Sequence, residues 1–212
     1  MHIPPGFLEP EVWVTMTGVS AAGVGYALKK TEHDLDDSRM PVMGVVASFI
    51  FAAQMVNFPV AGGTSGHLLG TALAVSILGM WPAMLAMTAV VLMQGLLFQD
   101  GGLDALGANV FNMAILGSFI SGAVIGIGKR FGKRALYPSV AIAGMLTMVG
   151  AAFMCAVELV MSGTAPARIV IPAMVGLHAI IGIFEGFISI VALRFITAVK
   201  PGMVQVPRET EL

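Results

Sequence analysis

Charged residues are scarce in this chain of 212 residues: 11% are charged and 57% are hydrophobic. Soluble domains carry roughly 25% charged residues, and the mean hydropathy here is +0.91. This composition excludes a soluble globular protein and indicates a polytopic membrane protein in a lipid bilayer. The length is enough for six or seven spans of ~20 apolar residues each, with short connections.

Cysteine is nearly absent, and so are the common catalytic motifs. Cys155 is the single cysteine, which excludes an intramolecular disulfide and a cysteine-based metal cluster. The chain contains neither the phosphate-binding pattern Gly-x-x-x-x-Gly-Lys-Ser/Thr nor the zinc-protease pattern His-Glu-x-x-His. We therefore expect no enzyme, no organic cofactor and no nucleic-acid partner, and any ATP-driven work must come from other subunits.

The amino terminus lacks the features of a signal peptide. No basic residue precedes the first apolar run, and Pro4, Pro5 and Pro10 interrupt the region where an apolar core would lie. Because His2 is large, removal of the initiator is not expected. The sequence thus predicts that Met1 keeps a free α-amine.

Seven apolar segments predict an all-α fold with seven transmembrane helices. They cover residues 11–28, 40–57, 67–80, 81–98, 108–128, 137–161 and 169–199. We expect one membrane domain, with an amino-terminal segment 1–9, a helix bundle 10–200 and a tail 201–212. The third segment would span only about 21 Å, less than the ~30 Å hydrocarbon core. The glycine-rich loop before it is therefore expected to dip into the protein.

The basic residues predict the orientation of these helices. With loops 29–39 and 129–136 and the carboxyl-terminal tail in the cytoplasm, ten of the 11 Lys and Arg residues lie inside, counting Arg194. Only Arg168 lies outside. This orientation places the amino terminus and His67 on the outer side and the carboxyl terminus in the cytoplasm.

A histidine at position 2 offers three nitrogens in a row to one metal ion. The α-amine of Met1 and the amide of His2 close a five-membered chelate ring, and the amide and Nδ1 of His2 close a six-membered one. His67, on the same predicted side, would complete a square. This set suits Ni²⁺, Co²⁺ or Cu²⁺ better than Zn²⁺, Mg²⁺ or Ca²⁺. The alternative is a solvated terminus and a histidine bonded to a carbonyl.

Polar residues near the predicted outer helix ends could support this site. Metal-bound imidazoles usually donate their second N–H to an acceptor. The candidates are Gln54, Asn57, Thr64, Ser65, Asn109 and Asn112. Hydrogen bonds between helices are the alternative for each of them.

His178 and Glu185 lie seven residues apart on one face of the last helix. An ionisable residue at membrane depth is a functional candidate, as is Glu158 in the sixth span. The separation of about 10.5 Å along the helix axis prevents His178 and Glu185 from binding one ion together, and a structural polar contact is favoured. A gradient-driven metal carrier that uses these two residues is the alternative function.

Several motifs together resemble the CbiM/NikM family, the substrate-capturing components of energy-coupling-factor cobalt and nickel transporters. The motifs are Met1-His2-Ile3-Pro4, Gly6-Phe7-Leu8, Asn57-Phe58-Pro59, Gly62-Gly63-Thr64-Ser65-Gly66-His67-Leu68-Leu69-Gly70, Phe98-Gln99-Asp100-Gly101-Gly102, Leu106-Gly107-Ala108-Asn109 and Asn112-Met113. Pro5 departs from the family pattern, in which an acidic residue is common. The likeness extends over essentially the whole chain.

The resemblance implies a function and a set of partners. The amino-terminal segment would insert into the fold, and Met1, His2 and His67 would hold Co²⁺ or Ni²⁺ as the transported substrate through four nitrogens. The implied partners are a transmembrane coupling protein, two ATP-binding cassette ATPase subunits and a small accessory membrane subunit. Cobalt and nickel both accept this donor set, so the sequence does not separate them.

Overall fold

The computed structural model describes residues 1–32, 39–60, 64–200, 202 and 204, and within them the chain is mostly helical. The tail predicted from residue 201 onward lies almost entirely outside the described residues. The helices are α1 (Pro10–Thr31), α2 (Arg39–Gln54), α3 (Thr71–Leu78), α4 (Met80–Leu97), α5 (Leu106–Lys129), α6 (Leu136–Met161) and α7 (Ala167–Val199). A 3₁₀ turn, Lys133–Ala135, links α5 and α6, and α5 contains a π-helical stretch, Phe111–Leu116.

Four helices in the described ranges are long and apolar enough to cross a membrane: α4, α5, α6 and α7. α2 is apolar but shorter, with 16 residues, and α3 has only 8. The prediction of a multi-helix membrane protein is confirmed for these four spans. With 33 residues, α7 is about 50 Å long, well beyond the ~30 Å hydrocarbon core.

Helices α6 and α7 pack at very short range because α7 carries glycine on the contact face. A Cβ at Gly182 would lie 3.0 Å from Cα of Met145, and one at Gly186 would lie 2.9 Å from the carbonyl oxygen of Ala141. Such small residues allow helix backbones to approach closely in membranes. This packing fixes the position of Glu185, which lies between the two glycines.

The third helix differs from the prediction, since it begins at Thr71 and not at His67. Gly70 has φ +80°, a left-handed conformation that favours glycine. In addition, the N–H groups of Leu69 and Gly70 bind the carboxylate of Glu185. Residues 67–70 are consequently non-helical, and the chain enters α3 from inside the protein, as the short length of this segment predicted.

The glycine-rich loop forms part of a short hairpin that was not predicted. Strands β1 (Phe58–Val60) and β2 (Thr64–Gly66) pair antiparallel, with Phe58 opposite Gly66 and Pro59 opposite Ser65. Residues 61–63, which include Gly62 and Gly63, lie outside the described residues. The fold is thus helical with one short β-hairpin in addition. This hairpin ends at Gly66, directly before His67.

Candidate metal site

The first three residues are buried inside the helix bundle. Met1 and Ile3 are fully buried, and His2 is only 2% exposed. The N–H of Ile3 donates to Oδ1 of Asn109 at 2.9 Å, and the N–H of Gly102 donates to the carbonyl of Ile3 at 2.8 Å. The segment is therefore held as a strand-like insertion between α5 and the α4–α5 loop.

Further contacts hold the rest of the amino-terminal segment. The N–H of Gly6 donates to Oδ2 of Asp104 at 2.8 Å, and the hydroxyl of Thr164 donates to the carbonyl of Phe7. A Cβ at Gly102 would lie 2.6 Å from Cα of Pro5, so the loop touches the segment backbone to backbone. The α4–α5 loop, residues 98–105, therefore holds the terminus in place, and we call it the clamp.

Ser65 of β2 contacts both terminal nitrogens. The α-amine of Met1 donates to the carbonyl of Ser65. Oγ of Ser65 lies 3.1 Å from that amine and 3.3 Å from the amide nitrogen of His2. One serine thus gathers the first two nitrogens of the predicted chelate at the hairpin that precedes His67.

The two imidazole rings meet beside these nitrogens. His67 is 1% exposed, and its ring stacks on that of His2 with centroids 4.8 Å apart and 28° between the planes. The structure thus brings together the rings of His2 and His67, the two imidazoles of the predicted set.

Hydrogen bonds fix which nitrogen of His67 carries a lone pair. Nδ1 of His67 lies 2.7 Å from the carbonyl oxygen of Leu68. A carbonyl can only accept, so Nδ1 carries the proton and Nε2 carries the lone pair. Nε2 is buried and has no hydrogen-bond partner within the described residues, which is the state of an imidazole ready to bind a metal.

Two buried glutamines determine which ring nitrogen of His2 carries the proton. Nε2 of Gln54 donates to the carbonyl of Leu69 at 2.6 Å, and Nε2 of Gln94 donates to Oε1 of Gln54 at 3.0 Å. Oε1 of Gln94 therefore accepts from Nε2 of His2 at 3.0 Å. The lone pair of His2 must lie on Nδ1, the nitrogen that closes the six-membered chelate ring.

Nδ1 of His2 faces a carboxylate with no proton between them. It lies 3.4 Å from Oδ1 of Asp100 and makes no hydrogen bond in the described structure. A lone pair and a carboxylate oxygen repel each other at this distance unless a cation is close to both. The arrangement favours a positively charged ligand at this point.

Burial keeps the nitrogen donors unprotonated at neutral pH. Desolvation lowers the pKa of the Met1 α-amine to about 5. Desolvation and the nearby amine charge lower the pKa of His2 to about 3. The same two causes, and then the proximity of His2, lower the pKa of His67 well below its usual value. Free lone pairs are what metal binding requires.

The polar residues predicted to support the site have varied partners. Ser65 and Asn109 contact the amino-terminal segment directly, as described above. Nδ2 of Asn57 donates to Oδ2 of Asp100 at 3.2 Å, and Nδ2 of Asn112 donates to Oε2 of Glu158 at 2.6 Å. The acceptors for the imidazole N–H groups are instead Gln94 and the Leu68 carbonyl. Gln94, an amide in the apolar run of α4, was the signal that sequence reasoning missed.

His178 and Glu185 have separate partners. Nδ1 of His178 bonds to the carbonyl of Met174, one turn earlier in α7, at 2.7 Å. The carboxylate of Glu185 accepts the N–H of Leu69 at 2.6 Å and of Gly70 at 3.0 Å. Glu185 thus has the structural polar contact that the sequence favoured, and it anchors the segment that carries His67.

No group of three or more His, Cys, Asp or Glu side chains that could hold a metal exists in the described part of the chain. Two imidazoles stack here beside an α-amine and an amide nitrogen, and a third, that of His178, is close enough to interact electrostatically with His67 and with the α-amine. A metal ion here must therefore take main-chain nitrogens as ligands. Such ligands suit ions that accept planar nitrogen coordination.

The chain is similar to proteins whose names describe metal transport or cobalt uptake. A family model described as "Cobalt uptake substrate-specific transmembrane region" matches residues 2–203. A protein of Haloquadratum walsbyi provisionally named a metal transport protein is 40% identical over 209 residues, covering 96% of this chain and 93% of the relative. The fused nickel transport protein NikMN of Rhodobacter capsulatus is 37% identical over 164 residues, covering 74% of this chain and 46% of the relative.

The fold is also similar to that of a solved protein. The crystal structure of a truncated transition metal transporter matches with a TM-score of 0.88 and 31% sequence identity, covering 94% of this chain and 99% of the other. Similarity in sequence and in fold therefore covers nearly the whole chain, and the family model includes His2 and His67.

Proposed function

The chain belongs to the CbiM family of cobalt uptake transmembrane proteins, and from this premise we propose that it is the substrate-capturing subunit of an energy-coupling-factor importer. It is a multi-pass prokaryotic membrane protein for cobalt or nickel transport. In our proposal it binds Co²⁺ or Ni²⁺ outside the cytoplasm, and separate ATPase subunits drive release to the inside.

We propose that the ion is held by four nitrogens in a square plane. They are the α-amine of Met1, the amide nitrogen and Nδ1 of His2, and Nε2 of His67. The observation that supports this most strongly is a pair of buried nitrogens on stacked rings, Nδ1 of His2 and Nε2 of His67, that have no hydrogen-bond partner among the described residues. Buried polar atoms in proteins nearly always have a partner, so two such atoms at one place suggest a missing ligand.

The amino-terminal segment would serve as both ligand and plug. Because Met1 is fully buried, no ion reaches or leaves the four nitrogens without movement of the surrounding segments. We propose that release requires withdrawal of Met1 and His2 from the His67 hairpin. The clamp that opposes this withdrawal contacts the segment through the backbone of Gly102 and the side chain of Asp104.

The clamp can be tested without touching a ligand. Gly102→Ala would place a methyl group 2.6 Å from Cα of Pro5, which displaces the segment. We expect the affinity for Co²⁺ to fall roughly tenfold or more, since overpacking costs typically 1–3 kcal/mol. Gly18→Ala in α1 is the control, because a Cβ there meets nothing within 4 Å. Equal affinities of the two variants in a chelator competition assay would refute the clamp.

Proton release on metal binding gives a second test. At pH 7 the α-amine, with a pKa of about 5, and both imidazoles are already neutral, so only the amide of His2 must lose a proton. We expect release of about one proton per ion, whereas an exposed terminus with a pKa near 8 would add about one more. Calorimetry of Ni²⁺ binding in buffers of different ionisation enthalpy measures this number. A value near two or near zero would contradict the proposed ligand state.

Partners follow from the same proposal. The relative named NikMN is a fused protein of which this chain covers 46%, so that relative carries a further part. We propose that this chain works with an accessory membrane subunit, a transmembrane coupling protein and two ATP-binding cassette ATPases. The amino terminus would face outward and the carboxyl terminus the cytoplasm, as the distribution of basic residues predicts.

Purified protein in lipid vesicles separates capture from the alternative carrier function. A capture subunit alone should bind about one Co²⁺ per chain and should not accumulate metal inside vesicles, with or without a proton gradient. A carrier that uses His178 and Glu185 should accumulate metal when a gradient is applied. Gradient-dependent accumulation by this chain alone would overturn the capture proposal.

A further inference from the structure

We propose that Glu185, Gln54 and Gln94 form a hydrogen-bond relay that couples helix α7 to the His2 imidazole. The relay runs from the Glu185 carboxylate through the backbone of Leu69 and then through the two glutamine side chains. This inference rests on the proposed function, since it assumes that His2 binds the metal. None of the three relay side chains is a proposed ligand, so they are positioning residues.

The directions of the bonds beyond Leu69 follow from the carbonyl of Leu69, which can only accept. The carboxylate of Glu185 accepts the N–H of Leu69 at 2.6 Å, and the carbonyl of Leu69 accepts from Nε2 of Gln54 at 2.6 Å. The amide of Gln54 is thereby oriented, and its oxygen accepts from Gln94 at 3.0 Å. The remaining oxygen of Gln94 must accept from His2.

Burial makes the relay sensitive to any break. Gln54 and Gln94 are fully buried and Glu185 is only 2% exposed, so water does not replace a lost partner. An unpaired buried polar group costs ~1–3 kcal/mol. If one side chain rotates and breaks its hydrogen bond, its neighbour lowers its free energy by rotating to a new partner. The change is thereby passed on to the next bond of the relay.

The relay joins the two parts of the site that must separate on release. Glu185 holds Leu69 and Gly70, immediately after His67, and Gln94 holds the ring of His2. A displacement of α7 that withdraws Glu185 would free the Leu69 peptide and remove the constraint on the Gln54 amide. His2 would then lose the bond that keeps its lone pair on Nδ1, and the chelate would weaken. The structure thus provides a route from a helix movement to the ligands.

A double-mutant cycle on Co²⁺ affinity tests the coupling. The single variants are Gln94→Met, which removes the acceptor for His2 with little change of shape, and Glu185→Gln, which leaves one backbone N–H facing an amide NH₂. We expect losses of about 10- to 100-fold for the first, as for other outer partners of metal-bound histidines, and a loss of similar order for the second. We expect the double variant to lose affinity by a factor clearly smaller than the product of the two single-variant losses, because either substitution alone already interrupts the relay.

Thr88→Ala provides the control for this cycle. Thr88 lies in α4 like Gln94, is buried, and bonds only to the carbonyl of Met84 in its own helix among the described contacts. Combined with Glu185→Gln, it should give multiplicative losses. If the affinity losses of Gln94→Met and Glu185→Gln also multiply in the double variant, the relay is refuted.

Gln54→Met gives a second, independent test should a Glu185 variant fail to fold. Gln54 does not touch His2, so a purely local role of Gln94 predicts unchanged affinity and an unchanged ligand-field absorption band of the Ni²⁺-loaded protein. The relay predicts a weaker affinity and a shifted band. If wild-type protein binds neither Co²⁺ nor Ni²⁺, the proposed function fails; if it binds them and Gln54→Met matches it, only the relay fails.

Discussion

An amino-terminal extension is expected to abolish metal binding. Joining a peptide to Met1 converts its α-amine into an amide, which is a far weaker donor at neutral pH. The extension must also pass through a site in which Met1 is fully buried and touches Ser65. Protein purified with a long extension should therefore carry almost no Co²⁺ or Ni²⁺, whereas protein tagged at the carboxyl terminus should carry about one ion per chain, as mass spectrometry of metal content will show.

The matched control is the same polypeptide after cleavage. A protease site that ends directly before Met1 restores the free amine without any other change, and metal binding should return. A one-residue extension is unsuitable, because a histidine at position 3 of a chain completes a four-nitrogen chelate by itself. Retention of the metal by the uncleaved protein would show that the α-amine is not a ligand.

Replacement of His67 is expected to have the second large effect. His67→Ala removes the fourth nitrogen and leaves a square with one open corner. Loss of an outer partner of a metal-bound histidine typically costs 10- to 100-fold in affinity, and loss of the ligand itself should cost more than about 100-fold. Affinity for Co²⁺ by chelator competition, and metal accumulation by cells that produce the variant with its partner subunits, should both fall.

His178→Ala is the informative comparison for this variant. His178 is also fully buried, and its interactions with the Ser65 backbone and the α-amine place it close to the candidate site, so removal of a buried imidazole in this region is common to both variants. We expect His178→Ala to retain most of its metal affinity. The alternative function, a gradient-driven carrier, predicts that His178→Ala reduces metal transport more than His67→Ala does. A thermal melt of each variant separates unfolding from loss of a ligand.

Hydropathy was sufficient to predict the membrane class and the long helices. The predicted segment 137–161 corresponds to α6 (Leu136–Met161), and 169–199 corresponds to α7 (Ala167–Val199). Apolar runs of this length have few alternatives in a bilayer, where backbone groups must be bonded internally. For these elements local composition determines the structure.

The start of α3 could not be predicted in this way. His67 precedes an apolar run, yet the backbone of Leu69 and Gly70 is captured by Glu185, 116 positions further along the chain for Leu69. A contact at such sequence separation leaves no local pattern. The hairpin of β1 and β2 was missed for a similar reason, because three-residue strands do not show a clear alternation of polar and apolar residues.

The sequence suggests the candidate ligands of the site but not the residues that hold them in place. The chelating sequence of Met1 and His2 is a local property of the chain, and the second imidazole was the histidine on the same predicted side. Which side chain accepts the N–H of His2 depends on helix packing, and that acceptor is Gln94. Its polar character within an apolar helix was visible, but its partner was not.

X-ray absorption at the nickel edge of the Ni²⁺-loaded, carboxyl-terminally tagged protein tests the proposed site most directly. We expect the edge feature of a square-planar ion, a single shell of nitrogen ligands and outer-shell scattering from two imidazoles. The same measurement on His67→Ala should lose the signal of one imidazole. A six-coordinate ion, or scattering from a sulfur such as that of Cys155, would contradict the four-nitrogen site and with it the role of the amino terminus.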